Sequence, residues 1–107
     1  MARKSRDEER ADDGRWIEYR RRLLGLSQAE LGERIGPPPG ISQPTMSRVE
    51  AGERALERTE FSDVCAVFGV TRLQAEREIE ARIWEQGETP APPDEGKKRT
   101  WRNRQRE

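Results

Sequence analysis

The chain has 107 residues, of which 39% are charged and only 31% are hydrophobic, and its formal net charge is zero. So few apolar side chains cannot bury the whole chain, and we therefore expect one small domain with disordered tails. A single cysteine and the lack of histidine exclude a disulfide framework, and we expect neither a metal nor a cofactor. No apolar run suits a signal peptide or a membrane span, which predicts a cytoplasmic protein.

The charges are unevenly distributed along the chain. Residues 15–56 carry seven Arg against five Glu, and residues 57–88 carry four Arg against eight acidic residues. Residues 89–107 carry six Lys or Arg against three acidic residues. The first half of the expected domain and the far tail are therefore positive, and the segment between them is negative.

The first helix is predicted to follow a disordered arm. Residues 1–13 contain no large apolar side chain after Met1 and mix both charges densely, which predicts the arm. We expect the helix to run from Gly14 to Leu24 and to end at Gly25. Its apolar surface should come from Trp16, Ile17, Tyr19, Leu23 and Leu24.

A second helix is predicted to begin at a capping box. In Ser27-Gln-Ala-Glu30, the hydroxyl and the carboxylate can each accept a hydrogen bond from a backbone N–H group of the other residue. Leu26 and Leu31 bracket this box as a hydrophobic staple, and Gly36 ends the segment. Residues 37–40, Pro-Pro-Pro-Gly, cannot be helical and predict a connection to the next helix.

Residues 41–52, ISQPTMSRVEAG, predict a short third helix with both its start and its stop in place. Ser42 can cap the first turn, and Ile41 and Met46 can form a hydrophobic staple. Gly52 supplies the left-handed residue that ends such a helix.

The outward face of this third helix is unusual for a merely solvated surface. Met46 and Val49 form the inward stripe, with Thr45 and Glu50 on its margins. The remaining side chains offer an amide, a hydroxyl, a guanidinium and small contacts, which suit base edges in a DNA major groove. They are Gln43, Pro44, Ser47, Arg48 and Ala51.

Two further helices are predicted after the third. A fourth helix, from about Glu57 to Phe68, has one apolar face and stops at Gly69. A fifth begins at Thr71-x-x-Gln74 and reaches about Trp84. The apolar faces comprise Phe61, Val64, Cys65 and Phe68 in the fourth helix, and Leu73, Ile79, Ile83 and Trp84 in the fifth.

Ion pairs and the tail complete the description of the C-terminal part. Spacing of four residues in the fifth helix favours the pairs Arg72–Glu76 and Glu78–Arg82.

Residues 87–96, GETPAPPDEG, are typical of an extended linker, and residues 97–107, KKRTWRNRQRE, form a basic tail with one tryptophan. The tail is either a solubilising extension or an arm that contacts DNA phosphates.

The segments LGLSQAELGERIG and ISQPTMSRVEAG resemble the lambda-repressor-like, or xenobiotic-response-element (XRE), helix-turn-helix family over about residues 15–73. The resemblance implies an all-α, five-helix helix-turn-helix domain over residues 14–86. The arm over residues 1–13 and the linker and tail over residues 87–107 lie outside it.

The resemblance also implies roles for individual residues. The base-reading residues would be Gln43, Pro44, Thr45, Ser47 and Arg48, with Gln43 suited to adenine and Arg48 to guanine. Arg21 and Glu50 correspond to a structural ion pair between the first helix and the reading helix. Ser27 and Gln28 would contact a DNA phosphate, and the charge run gives Arg20 and Arg22 the same prediction, although a merely solvated role fits them equally well.

The chain departs from the family pattern at two places. Residues 37–40 look like a four-residue insertion between the second and third helices, and three prolines favour a stiff, extended projection beside the DNA. Arg20 stands where the family keeps an aliphatic residue, one position after Tyr19, which leaves the packing register of the first helix open.

These patterns predict a sequence-specific DNA-binding transcriptional regulator, a repressor that binds double-stranded DNA as a homodimer. The chain offers no nucleophile–base constellation and no phosphate-binding glycine loop, so we do not expect an enzyme. An antitoxin that binds a toxin through the tail or the acidic fifth helix is an alternative. A phage lysogeny or controller protein is another, and only the genomic neighbourhood separates it from the first hypothesis.

Overall fold

The computed structural model describes residues 5–86, which fold into five α-helices and a final 3-10 turn. This part of the chain contains no strand, so the expected all-α class with five helices is confirmed. None of its helices has the length and apolar character needed to cross a membrane. The helices are α1 (Arg6–Leu23), α2 (Gln28–Glu33), α3 (Gln43–Glu50), α4 (Arg58–Phe68) and α5 (Arg72–Ala81), and the 3-10 turn is Ile83–Glu85.

Helix α1 begins eight residues before the predicted start at Gly14, so that prediction is wrong. Ser5 Oγ accepts a hydrogen bond from the Glu8 N–H, and Glu8 Oε1 accepts one from the Ser5 N–H, both at 3.1 Å. This capping box satisfies otherwise unpaired donors and places acidic side chains where the helix dipole favours them. Residues 6–13 are therefore helical, while residues 1–4 of the predicted arm lie outside the described range.

The added turns of α1 pack against the C-terminal end of α3. A Cβ atom on Gly14 would lie 2.5 Å from the Val49 carbonyl oxygen and 2.6 Å from that of Glu50. Gly52, which has a φ of 80° after α3, lies so close to α1 that its Cβ would be 3.0 Å from Ala11 Cα. Backbone therefore meets backbone at this contact, and only glycine permits so close an approach.

The core is built around the indole of Trp16, which is fully buried in α1. Its ring lies 5.7 Å from that of Phe61 and 5.4 Å, edge to face, from that of Phe68. Cys65 is buried among these apolar side chains as a free thiol, and burial raises its pKa. The other buried apolar residues are Ile17, Leu26, Leu31, Ile35, Met46, Val49, Val64, Ala75 and Trp84.

Three leucines that the sequence places on apolar faces are exposed instead: Leu23 by 49%, Leu24 by 51% and Leu73 by 57%. In α1 the position one turn after buried Ile17 is Arg21, so Leu23 falls on a different face. Leu24 caps the helix, where the chain turns away towards α2. The predicted α1 surface is therefore correct only in its first part.

Of the predicted apolar stripe of the fifth helix, Ile79, Ile83 and Trp84 pack against the core, and only Leu73 does not. Polar contacts also connect α5 to α1. The Glu78 carboxylate accepts hydrogen bonds from Trp16 Nε1 at 2.8 Å and from Arg20 Nε at 3.0 Å. Arg82 has a left-handed φ of 50°, which ends α5 before Trp84, and its guanidinium donates to Asp12 and Glu85 at 2.8 Å. The predicted Glu78–Arg82 pair is therefore wrong, because both side chains bind partners outside α5 or beyond its end.

The insertion at residues 37–40 forms a closed turn, so the predicted extended projection is wrong. The Gly40 N–H donates to the Pro37 carbonyl at 3.0 Å, and the Ile41 N–H donates to the Gly32 carbonyl at 2.9 Å. After a left-handed glycine such as Gly36, the next residue ordinarily donates to the carbonyl four positions before the glycine. Pro37 has no N–H, and Ile41 makes that bond in its place after the turn closes.

The Gly14 contact yields a first prediction. Gly14→Ala adds a methyl group that meets two carbonyl oxygens, and we expect it to lower the free energy of unfolding by about 1–3 kcal/mol. At an unobstructed helical site the same change stabilises by about 0.5–1 kcal/mol. Urea denaturation measures the change in stability, with Arg77→Ala at an exposed position as the control variant. An unchanged or raised denaturation midpoint for Gly14→Ala would contradict the close contact.

The turn yields a second prediction. Deleting residues 37–40 joins Ile41 to Gly36, and its N–H is then in the ordinary position to donate to Gly32. We expect the domain to fold with a free energy of unfolding within about 1 kcal/mol of the parent, since shortening a loop changes its closure entropy little. Thermal and urea denaturation test this, and a loss of several kcal/mol would show that the turn itself holds α3 in place.

Candidate nucleic-acid interface

Helix α3 has a capped N-terminus, and its polar face is exposed. Ser42 caps the helix, with Oγ accepting from the Thr45 N–H at 3.4 Å and donating to Thr45 Oγ1 at 2.9 Å. Met46 is fully buried and Val49 is 3% exposed, so the predicted inward stripe is correct. Thr45 is half-buried, and the exposed residues of the helix and its cap are Ser42, Gln43, Pro44, Ser47, Arg48 and Ala51.

A buried ion pair fastens α3 to α1. Arg21 and Glu50 have side-chain exposures of only 4% and 5%. Arg21 Nε donates to Glu50 Oε2 at 2.6 Å and Arg21 Nη2 to Glu50 Oε1 at 2.9 Å, which is the two-bond geometry that suits guanidinium and carboxylate. Arg21 Nη1 also donates to the Leu26 carbonyl at 2.9 Å, which connects the pair to the start of α2.

A chain of amide hydrogen bonds leads from this ion pair to the outward face of α3. Gln28 Nε2 donates to Glu50 Oε1 at 2.9 Å, and Gln43 Nε2 donates to Gln28 Oε1 at 2.7 Å. A carboxylate can only accept, so the Gln28 amide must direct its nitrogen towards Glu50 and its oxygen towards Gln43. These hydrogen bonds hold the Gln43 side chain in place but use only one of its N–H groups, and they leave its oxygen and its second N–H without a partner among them.

The residues predicted to contact DNA phosphates already bind other groups within the domain. Arg20 forms an ion pair with Glu78, and Arg22 forms one with Glu18, four residues earlier on α1. Ser27 is 3% exposed, and its Oγ accepts from the Glu30 N–H at 3.0 Å within the expected capping box. Each phosphate role stays a prediction, and each would have to coexist with, or replace, these internal contacts.

Several polar residues bind partners other than those that the sequence predicts. Glu78 and Asp12 receive the side chains of Arg20 and Arg82 across 58 and 70 residues of sequence. Gln28, considered only for a phosphate, joins Glu50 to Gln43 across 22 and 15 residues. No local spacing rule could have found partners so far apart in the chain.

Burial and hydrogen bonding act in opposite directions on the Glu78 carboxyl. Burial raises its pKa, but hydrogen bonds from Arg20, Trp16 and Gln74 favour the charged form more strongly. The pKa of Glu78 therefore lies below its ordinary value.

Comparison with known proteins adds one finding to this geometry. A family model described as helix-turn-helix matches residues 17–74, which are 58 of the 107 residues and include α2, α3 and α4 in full. No curated protein matches the chain. The matched range contains every residue of the buried ion pair and of the amide chain that leads to Gln43.

The ion pair yields a third prediction. Arg21→Ala leaves the Glu50 carboxylate buried without its cation, and we expect a loss of about 3–5 kcal/mol of folding free energy. The double variant Arg21→Met with Glu50→Leu should lose clearly less than the sum of its two single variants, because no charge is then left unpaired. Urea denaturation of the four proteins gives the coupling, and additive losses would rule out a strong pair.

Glu78 yields a fourth prediction, on pH. A carboxyl with a lowered folded pKa stabilises the fold above its unfolded value of about 4.3 and loses that contribution as pH falls further. At pH 7 we expect Glu78→Gln to be about 1.5–3 kcal/mol less stable than the parent, the scale of a hydrogen bond to a charged group. As pH falls below about 4.3, the difference in the free energy of unfolding between the two proteins should shrink.

The matched control is Glu80→Gln, an exposed carboxylate on the same helix. This variant should follow the parent at every pH. A difference between the parent and Glu78→Gln that stayed constant down to pH 3 would show that the Glu78 charge does not support the contact between α1 and α5.

Proposed function

The chain belongs to the lambda-repressor-like, or XRE, helix-turn-helix family of DNA-binding transcription regulators, and we propose that it represses transcription by reading the major groove with α3. The observation that carries this proposal is the division of α3 into two faces. Its inward side is fixed by Met46, Val49 and the Glu50 ion pair, while its outward side leaves Gln43, Ser47 and Arg48 exposed.

The amide chain supports a specific role for Gln43. One of its N–H groups donates to Gln28, which leaves the side-chain oxygen and the second N–H for a base. Adenine offers a donor at N6 and an acceptor at N7, which together match these two groups. Gln43 is therefore proposed to read adenine, already oriented before the DNA arrives.

Arg48 is proposed to read guanine. It is exposed on the outward face of α3, and no ion pair within residues 5–86 engages its guanidinium. Two guanidinium N–H groups can donate together to guanine O6 and N7. Pro44, Thr45 and Ser47 are proposed to contribute shorter contacts along the groove.

We further propose that two copies bind one pseudo-palindromic site with half-sites about one helical turn apart. An eight-residue helix with a few base-reading side chains can specify only a short half-site, so a second copy is needed to raise discrimination over nonspecific DNA. Repression is the simpler outcome, because occupying a promoter suffices for it and requires no surface for contacting the transcription machinery.

The fifth prediction tests this proposal. Selection of bound sites from random DNA should give the parent a two-fold motif. Gln43→Ala and Arg48→Ala should each lose preference at one base position per half-site, by about 1–3 kcal/mol.

Arg77→Ala, an exposed arginine on α5, is the control and should select the parent motif. If both α3 variants also selected the parent motif, the proposed reading face would be wrong. A motif without two-fold symmetry would contradict binding as a symmetric dimer and leave the reading face standing.

A further inference from the structure

A cleft of about 600 Å³ lies between α1, the segment that follows α3, and helices α4 and α5. Its apolar lining comes from all of these elements and includes Val49, an inward-facing residue of α3. A cleft of this volume accommodates one or two large side chains. The apolar lining consists of Ile17, Val49, Ala55, Leu56, Phe61 and Ile79.

Four arginines of the described range line this cleft, and three of them already contact other side chains. Arg10 pairs with Asp7, Arg54 pairs with Glu60, and Arg72 lies over the Phe61 ring at 5.7 Å. A fourth arginine, Arg58, is exposed at the start of α4.

The carboxylates of Glu9, Glu76 and Glu80 also line the cleft and are exposed. No hydrogen bond or ion pair to these side chains occurs within residues 5–86. The cleft therefore combines an apolar floor with three carboxylates that form no ion pair, against two arginines, Arg58 and Arg72, that also form none within residues 5–86. This excess of one negative charge suits a positively charged segment that carries a large apolar side chain.

We propose that residues 97–107 of the same chain bind in this cleft, with the Trp101 indole on the apolar floor. This segment, KKRTWRNRQRE, has six Lys or Arg and a single aromatic residue, which lies between basic residues. Lys98, Arg99 and Arg102 then lie near the rim carboxylates, and Arg72 can contribute a cation–π contact to the indole. The proposal goes beyond DNA reading, since it concerns the protein before DNA is bound.

The chain is long enough for this contact. Glu80 lies six residues before Gln86, where the described range ends, so the rim is within about 20 Å of that point along the chain. Residues 87–100 can span up to about 46 Å when extended, which allows Trp101 to return to the cleft. A tether of this length gives the tail an effective concentration near the millimolar range, so a weak contact suffices.

Docking of the tail has a consequence for DNA binding. The basic residues of the tail then face the acidic rim formed by α1 and α5, and DNA phosphates must compete with these carboxylates for them. Both contacts are electrostatic and weaken as salt rises. Binding of the tail in the cleft thus reduces its nonspecific contacts with nucleic acid.

A spin label placed beside Trp101 tests the docking in the full-length protein without DNA. Thr100→Cys provides the attachment point, and the parent chain treated with the same reagent controls for reaction at buried Cys65. Backbone amide signals of Leu56, Ile79 and Glu80 should lose most of their intensity, and clearly more than that of Ser47 on the outward face of α3.

Charge reversal and removal of the indole provide the matched variants. Glu76→Lys with Glu80→Lys should abolish the local intensity loss, and so should Trp101→Ala in the labelled chain. Glu33→Lys with Glu53→Lys, which changes two exposed carboxylates outside the cleft, should preserve it.

Two results would overturn the proposal. The first is an intensity loss that is absent from Leu56, Ile79 and Glu80. The second is an intensity loss of equal size per label when spin-labelled chains without isotope are mixed with isotope-enriched chains without label, which would assign the cleft to the tail of a second copy. Neither result bears on whether α3 reads DNA.

Discussion

One buried carboxylate, that of Glu50, connects the three helices on which the candidate interface depends. Glu50 lies in α3, Arg21 reaches it from α1 with two donors, and Gln28 reaches it from α2 with one. A buried charge is tolerated only when it is paired and hydrogen-bonded, so these contacts cannot be relaxed one at a time without a large loss of stability. The orientation of α3 relative to its neighbours is therefore fixed by the same group that fixes the Gln28 amide.

Helix α3 is supported again at its C-terminal end, where α1 approaches it backbone to backbone. The contact of Gly52 with Ala11 requires the N-terminal turns of α1, which Ser5 and Glu8 cap, and Gly14 makes a second contact one turn later. The Glu50 ion pair and these glycine contacts lie on the inward side of α3. The contacts that hold α3 against α1 therefore do not use its outward face, whose side chains can contact DNA.

Local signals in the sequence were sufficient for most of the fold and insufficient for the contacts that join its parts. The caps at Ser27, Ser42 and Thr71 all occur, because a capping interaction involves only residues a few positions apart. Ser5-x-x-Glu8 follows the same rule, but it was not among the predicted caps, and the low hydrophobicity of residues 1–13 predicts an arm there, so the predicted α1 is too short. The roles of Glu78, Arg82 and Gln28 depend on partners distant in sequence, and the turn at residues 37–40 depends on which N–H replaces the one that Pro37 lacks.

We infer above all that the Glu50 carboxylate orients Gln43 through Gln28 before DNA binds. The side-chain amide signals of Gln43, observed by NMR in the free protein, test it most directly. In Gln28→Leu, these signals should move to the position of an unconstrained glutamine, while Gln74→Leu, a change on α5, should leave them where they are in the parent. Gln43 signals that stay unchanged in Gln28→Leu would contradict the claim.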